Sequence, residues 1–374
     1  EGLGFVQQLN HEFRMQLIRR TFLTSLVVIF SLHVHGTCKN DTLRYEILLN
    51  SSILKELEID ASFISAFDIT ANQLVLISSP NQYYLVGWGG LLPFGKPVSG
   101  EISSFAFTQD SILLTIRNNE LCHFDSEGRL TLLYTLPDQG MSISSGDQVM
   151  YIYDSRGKKD TYSIYVVAKG GRYTKILEMP TPISSVIEGN NSILFASGSV
   201  LFDFEMESRE LKAVAVLPAE KKIRSIAEDK AADRIYFSAG KEIYALKDNS
   251  AVLISDDLSG VLRFFRDGLM VFSPEENMLL RIVGLEEQIT STTRQSGATD
   301  IKKTVDLLTN STVVDLVNNN LSDALIITLI RRARVDFLLT TDAVIDLSGK
   351  GVSPEVIMEM RQAMKRQTSE SQNK

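Results

Sequence analysis

The chain has 374 residues, of which 44% are hydrophobic and 22% are charged. This composition is that of an ordinary globular protein with enough apolar residues for a sizeable core, and the length suggests two domains. The formal net charge of −8 is spread along the chain, which argues against a nucleic-acid-binding surface.

Residues 15–36 read as a secretory signal peptide. Two arginines precede a short apolar run over residues 22–32, and Val34 and Gly36 have the spacing that a signal peptidase accepts. We therefore expect cleavage after Gly36 and a periplasmic or secreted mature protein. The alternative is an uncleaved membrane anchor, although the run is shorter than the roughly 20 apolar residues of a spanning helix. Residues 1–14 form an upstream segment without an assigned role.

The chain has two cysteines, Cys38 just after the leader and Cys122 in a predicted strand. In an oxidising compartment they can pair as a disulfide that closes a long loop. Two separate thiols are the alternative. A lipidated Cys38 is disfavoured because His35, Gly36 and Thr37 precede it where a lipobox needs a small apolar run.

A weak repeat of about forty residues runs from Ile64 to Val283 and predicts a β-propeller. Each unit contains several short strands, recognised by alternation and β-branched content. The sixth unit lacks an outer strand, and the strand-like segment Ile53–Ile59 before the first unit is expected to supply it, closing the ring. The propeller is assigned to residues 37–285. The six units begin at Ile64, Ile102, Ile143, Ile183, Ile223 and Leu262.

The inner segments of the units place small polar residues toward the expected central channel. Narrowing space near the axis explains small residues there without any function. The alternative is a cationic spot, made by the arginines of units five and six, that binds a small anionic ligand such as a carboxylate or sugar acid. The candidate positions are Ser65, Ser103, Ser144, Ser184, Arg224 and Arg263.

The sequence offers no set of catalytic or metal-binding residues. Gly90–Pro97 fits a phosphate-binding loop as far as Lys96, but Pro97 stands where a hydroxyl is needed. His123 is the single histidine expected in the mature chain, whereas zinc needs three or four convergent ligands. We expect neither metal nor cofactor, and the alternative left open is a calcium site made by carboxylates, such as those of the loop Asp154–Asp160. Trp88, the single tryptophan, is either ordinary packing or an exposed anchor for a partner.

A polar linker over residues 286–301 leads to a second repeat, of thirty-one residues, over residues 302–366. Each copy reads as two short helices. Thr309, Thr340, Ser322 and Ser353 are the predicted N-caps. Residues 367–374 are expected to form a disordered tail.

Two resemblances follow from these patterns. The units, with their inner Ile-Ser segments and their Leu-Pro ends at Leu136-Pro137 and Leu217-Pro218, resemble the six-bladed propellers of the NHL-repeat and TolB-like superfamily. The C-terminal phrase that begins Leu308-Thr309-Asn310 resembles a paired-helix module at the ends of bacterial envelope proteins. The resemblance implies a mainly β fold, closed by an N-terminal strand and followed by a small all-α domain.

The function favoured by the sequence is a non-enzymatic binding or scaffolding platform in the cell envelope, serving a protein partner or a small anionic ligand. Propeller hydrolases with a central metal take Glu, Asn and Asp from their inner strands, and here these positions are mostly Ser. The alternative is a propeller hydrolase or lactonase acting on a sugar or acyl ester. A third interpretation is a sensor whose helical module changes partner.

Overall fold

The structure is a computed structural model that describes residues 44–56, 66–69, 75–79, 81–87, 90–108, 112–125, 127–146, 149–167, 173–247, 250–265, 268–285, 307–319 and 321–372. It contains six four-stranded antiparallel sheets arranged as the blades of a propeller. The predicted six-bladed fold is therefore confirmed.

The first five blades are each formed by four consecutive strands. Blade 1 contains β2–β5 (Ala66–Ile69, Val75–Ser78, Tyr83–Gly87, Gly90–Phe94) and blade 2 contains β6–β9 (Ile102–Phe107, Leu113–Arg117, Glu120–Phe124, Leu130–Thr135). Blade 3 contains β10–β13 (Met141–Ser145, Met150–Asp154, Tyr162–Val167, Tyr173–Met179) and blade 4 contains β14–β17 (Ile183–Glu188, Ser192–Ser197, Val200–Glu205, Leu211–Val216). Blade 5 contains β18–β21 (Ile223–Asp229, Arg234–Ala239, Glu242–Lys247, Ser250–Ser255).

Blade 6 joins the two ends of the ring. It contains β22–β24 (Val261–Phe265, Gly268–Ser273, Met278–Val283) and takes its outer strand from β1 (Arg44–Leu49), which runs antiparallel to β24. Closure by an N-terminal strand is thus confirmed, but by different residues from those predicted. Ser51–Glu56 forms a short helix, α1, whose first turn is held by the Ile53 amide donating to Asn50 Oδ1 at 2.9 Å.

Burial differs between the middle and the edge of a blade. The middle strand β23 is buried along its whole length, because each blade packs against a neighbour on both faces. Such strands read as continuous apolar runs rather than as alternating ones. The outer strand β9, in contrast, is mostly exposed.

The C-terminal region folds into four helices, as its repeat predicted. These are α2 (Asn310–Asn318), α3 (Asp323–Arg332), α4 (Thr341–Gly349) and α5 (Pro354–Gln372). Thr309 and Thr340 cap α2 and α4 by accepting the amides of Thr312 and Ala343, and Ser353 accepts the amide of Val356. Ser322 also stands at an N-cap, but without a side-chain hydrogen bond. Helix α5 continues past residue 366 into the segment expected to be a tail.

The helical repeats pack directly onto blade 4. Helix α3 contacts β17, and the Arg332 guanidinium lies 5.8 Å from the centre of the Phe204 ring. Arg334 Nε pairs with Glu210 Oε1 at 2.9 Å. Side chains of both regions belong to one hydrophobic cluster, so the two parts share a core. No helix among the described residues is long and apolar enough to cross a membrane.

The closing strand can be tested through Leu49, which is 1% exposed and packs with Met270 and Phe272. Replacement by Ala removes buried apolar volume and leaves a cavity. We expect Leu49→Ala to lower the free energy of unfolding by about 2–4 kcal/mol in urea denaturation. Leu132→Ala is the control, because Leu132 is 53% exposed. Equal effects of the two variants would contradict the assigned closure.

Candidate functional site

The inner strands of all six blades surround a central cavity of about 830 Å³. This volume lies within the range of small-molecule sites. Five of the six predicted channel positions line it, namely Ser103, Ser144, Ser184, Arg224 and Arg263. The sixth, Ser65, lies outside the described residues.

These five residues do not occupy equivalent positions, because three inner strands contain a β-bulge. The pairing register shifts around Ser103, Ser184 and Arg224, which makes those three equivalent. The inner strands of blades 3 and 6 pair without a shift. Ser144 and Arg263 therefore lie further along their strands, and the single predicted column is wrong for them.

The hydroxyls of the bulge serines are already engaged with backbone. Ser103 Oγ donates to the Ile116 carbonyl at 3.0 Å, and Ser184 Oγ donates to the Ile223 carbonyl of the next blade at 2.7 Å. Both side chains therefore have a structural role that explains their identity.

The two arginines differ in how much of their hydrogen-bonding capacity is satisfied. Arg224 forms a bidentate ion pair with Glu275 and also contacts Ser259. Its hydrogen bond holds the pKa of Glu275 below the ordinary value. The charge of Arg224 is therefore compensated.

Arg263 is only partly satisfied. Its Nε donates to Asp68 Oδ1 at 2.8 Å, its Nη1 donates to the Leu262 carbonyl at 2.8 Å, and its guanidinium lies 5.8 Å from the Phe67 ring centre. Nη2 has no hydrogen-bond partner among the described residues. Arg263 thus presents an unused donor at the cavity, held in place by a carboxylate that is itself 4% exposed.

Two groups from blade 3 complete the polar lining. Tyr153 lines the cavity, and burial raises the pKa of its phenol to about 12, against the opposing effect of Arg263. Its hydroxyl is therefore protonated at neutral pH. Ser144 Oγ is buried without a hydrogen-bond partner, which is unusual enough to call for an explanation.

Tyr153 and Asp68 were not predicted from the sequence. Asp68 carried a signal, because it is the one charged residue in the inner strand Ala66–Ile69. Tyr153 carried little, since an aromatic residue in an apolar second strand is typical of core packing.

The cavity also has carboxylates on blades 4 and 5. Glu188 accepts a hydrogen bond from the Tyr151 hydroxyl at 3.2 Å, and Asp229 Oδ1 accepts the amides of Ala231 and Ala232 at 3.1 Å each. Among the described residues, no three His, Cys, Asp or Glu side chains come together as a metal site.

The remaining sequence predictions fall outside the cavity. Gly90–Phe94 forms a strand rather than a phosphate-binding loop, as expected. Cys122 is buried, and burial raises the pKa of its thiol. Trp88, Cys38 and the leader lie outside the described residues, so the partner anchor, the disulfide and export stay predictions.

Comparison with known proteins finds solved structures of similar fold but no similar sequence. No protein-family model matches the sequence, and no curated protein matches it. A solved gluconolactonase from Xanthomonas campestris is similar with a TM-score of 0.53 at 10% identity, covering 64% of this chain and 89% of that one. A second solved protein, assigned as a gluconolactonase, has a TM-score of 0.51 at 12% identity, with coverages of 65% and 92%. The similarity shows the fold alone: the chain is a six-bladed β-propeller, and its membership of the NHL-repeat and TolB-like superfamily stays a prediction.

These neighbours correct one prediction. The sequence favoured a binding or scaffolding platform over a lactonase, and this preference is wrong, since the two similar propellers named above are a gluconolactonase and a protein assigned as one. The lactonase alternative is the better supported of the two. The resemblance of the helical repeats to an envelope module stays a prediction.

The ion pair between Arg263 and Asp68 can be measured by a double-mutant cycle. Removing either partner leaves a charge at a largely buried site, so Asp68→Ala and Arg263→Ala should each cost about 2 kcal/mol of unfolding free energy. The double variant should cost less than the sum. Additive costs would mean that the pair does not couple blades 6 and 1.

Proposed function

We propose that the protein hydrolyses a small ester or lactone of a hydroxy acid within the central cavity. One observation carries the proposal. The cavity combines an unused donor on Arg263, a protonated Tyr153 phenol and an unpartnered Ser144 hydroxyl. An acyl substrate has the acceptors that such donors need. Of two propellers of similar fold, one is a gluconolactonase and the other is assigned as one, which agrees with this choice of substrate class.

The donors fit the needs of acyl transfer. Attack by water on the acyl carbon moves negative charge onto the carbonyl oxygen, and fixed donors stabilise that charge. Arg263 Nη2 and the Tyr153 hydroxyl take this role. Asp68 is a positioning residue, because its contact with Nε holds the guanidinium at the cavity while Nη2 has no hydrogen-bond partner among the described residues.

Glu188 is the proposed general base. It lines the cavity, and its contact with the Tyr151 hydroxyl fixes its orientation. It takes a proton from the attacking water as the new C–O bond forms. The tetrahedral intermediate then collapses, the ester C–O bond breaks, and the proton passes to the leaving alkoxide. The products are one carboxylic acid and one alcohol, which for a lactone are the same molecule. The Ser144 hydroxyl is assigned the role of binding a hydroxyl group of the substrate.

The test is hydrolysis of a panel of sugar lactones and aryl esters, followed as acid release at constant pH against a protein-free blank. We expect Glu188→Gln to lower kcat/KM by about a hundredfold or more. Tyr153→Phe and Arg263→Lys should lower kcat by about ten- to a hundredfold, since each removes a donor to the oxyanion.

The matched control is Arg129→Gln, because the Arg129 side chain is 70% exposed on a turn of blade 2. Its kcat/KM should equal that of the unmodified protein. Absence of hydrolysis above the blank for every substrate, or unchanged rates in all three cavity variants, would refute the proposal.

A further inference from the structure

The second helical repeat leaves uncovered a surface that the first repeat buries. The first repeat lies between blade 4, which α3 contacts, and the second repeat, whose α5 packs on α3. At the thirty-one-residue spacing, Ile345 and Met358 correspond to Val314 and Ile327. The first-repeat side chains are partly buried against the shared cluster. Ile345 is 65% exposed and Met358 is 57% exposed.

The charges around Met358 identify what can cover it. Glu355 lies three residues before Met358 and Arg361 lies three residues after it, and both are exposed. Residues three apart share one face of a helix. Neither Glu355 nor Arg361 has an ion-pair or hydrogen-bond partner among the described residues. Along this face of α5 an acidic, an apolar and a basic side chain therefore follow one another, with Met358 at the centre.

Such a face is complementary to its own copy. When two helices pack antiparallel about a two-fold axis through Met358, each Glu355 meets the other chain's Arg361. A two-fold interface requires this kind of self-complementarity, in which the same patch serves both subunits. The rise of about 1.5 Å per residue places each charged residue about 4.5 Å from the two-fold axis, measured along the helix. Both ion pairs can therefore form at the same time.

We propose that two copies of this chain associate through α5, with Met358 at the centre and two reciprocal Glu355–Arg361 ion pairs beside it. Ile345 of α4 extends the apolar contact. The propeller cavities lie outside this interface, so the proposal is independent of the proposed hydrolysis.

The experiment is sedimentation velocity of the full chain over about a hundredfold range of concentration, because dimerisation obeys mass action. The unmodified protein should shift from monomer to dimer. Glu355→Arg and Arg361→Glu should each raise the dissociation constant by about tenfold or more, since each places like charges together twice. The double variant E355R/R361E should restore dimerisation, because the pairs re-form with their signs exchanged.

Two further variants complete the design. Met358→Glu should abolish the dimer, whereas Glu101→Arg should leave it unchanged, since Glu101 is exposed on the propeller. Thermal melting of each variant checks that the fold is intact. A monomer at every concentration, unaffected single variants, or a double variant that fails to recover would each overturn the proposal. A different protein on this face would appear as the first of these outcomes.

Discussion

The ring depends on how the inner edge of each blade satisfies its backbone. An inner strand has one side facing the axis, where no further strand can pair with it, and buried amides without a partner are costly. Three serines supply hydrogen-bond acceptors for these amides. The Oγ atoms of Ser104, Ser185 and Ser225 accept the amides of Ile143, Ile226 and Leu262 in the next blade at 3.0–3.2 Å. The serine side chain is short enough to accept an amide of the next blade where the space near the axis narrows. The Ser-rich repeat is therefore explained by contacts between blades before any role in binding.

The serine pattern is interrupted at two places on the cavity wall. The inner strand of blade 3 pairs without a bulge, and its Ser142 bonds to Ser155 of the same blade at 2.7 Å. Ser144, further along that strand, is left with an unused hydroxyl. Between blades 6 and 1 the ion pair of Arg263 and Asp68 replaces a serine link, and Asp68 Oδ2 also accepts the Phe107 amide of blade 2 at 3.4 Å. These two irregular positions hold Ser144 and Arg263, two of the donors in the proposed site.

The sequence predicted the architecture well because blades are local. Each unit places four strands in chain order, so strand alternation and turn residues suffice, and the helix caps at Thr309 and Thr340 are equally local. Prediction failed where position depended on pairing. Ser144 and Arg263 seemed equivalent to Ser103 because a bulge inserts one residue without a sequence marker. Ile53–Ile59 alternates like a strand, yet Asn50 begins a helix at Ser51, and β24 pairs with residues 44–49 instead. Tyr153 could not be assigned because its role depends on what surrounds it across the cavity.

The ion pair at the closure is hard to explain by stability alone. Taking a carboxylate and a guanidinium out of water costs free energy that their attraction repays only in part, and well-packed apolar residues can give equal or greater stability. At the boundary between blades 4 and 5, by contrast, Ser184 Oγ donates to the Ile223 carbonyl at 2.7 Å, so neutral groups also join neighbouring blades. What the pair provides is a guanidinium at the cavity that is held at Nε, while Nη1 bonds to the Leu262 carbonyl and Nη2 has no hydrogen-bond partner among the described residues. Asp68 restricts the orientation of Arg263 before any substrate arrives, and a donor fixed in advance loses less free energy to reorganisation as charge develops. The same carboxylate, which belongs to blade 1, therefore contacts a side chain of blade 6 and the backbone of blade 2, and it positions the donor. The contact that closes the ring thus also forms part of the proposed site.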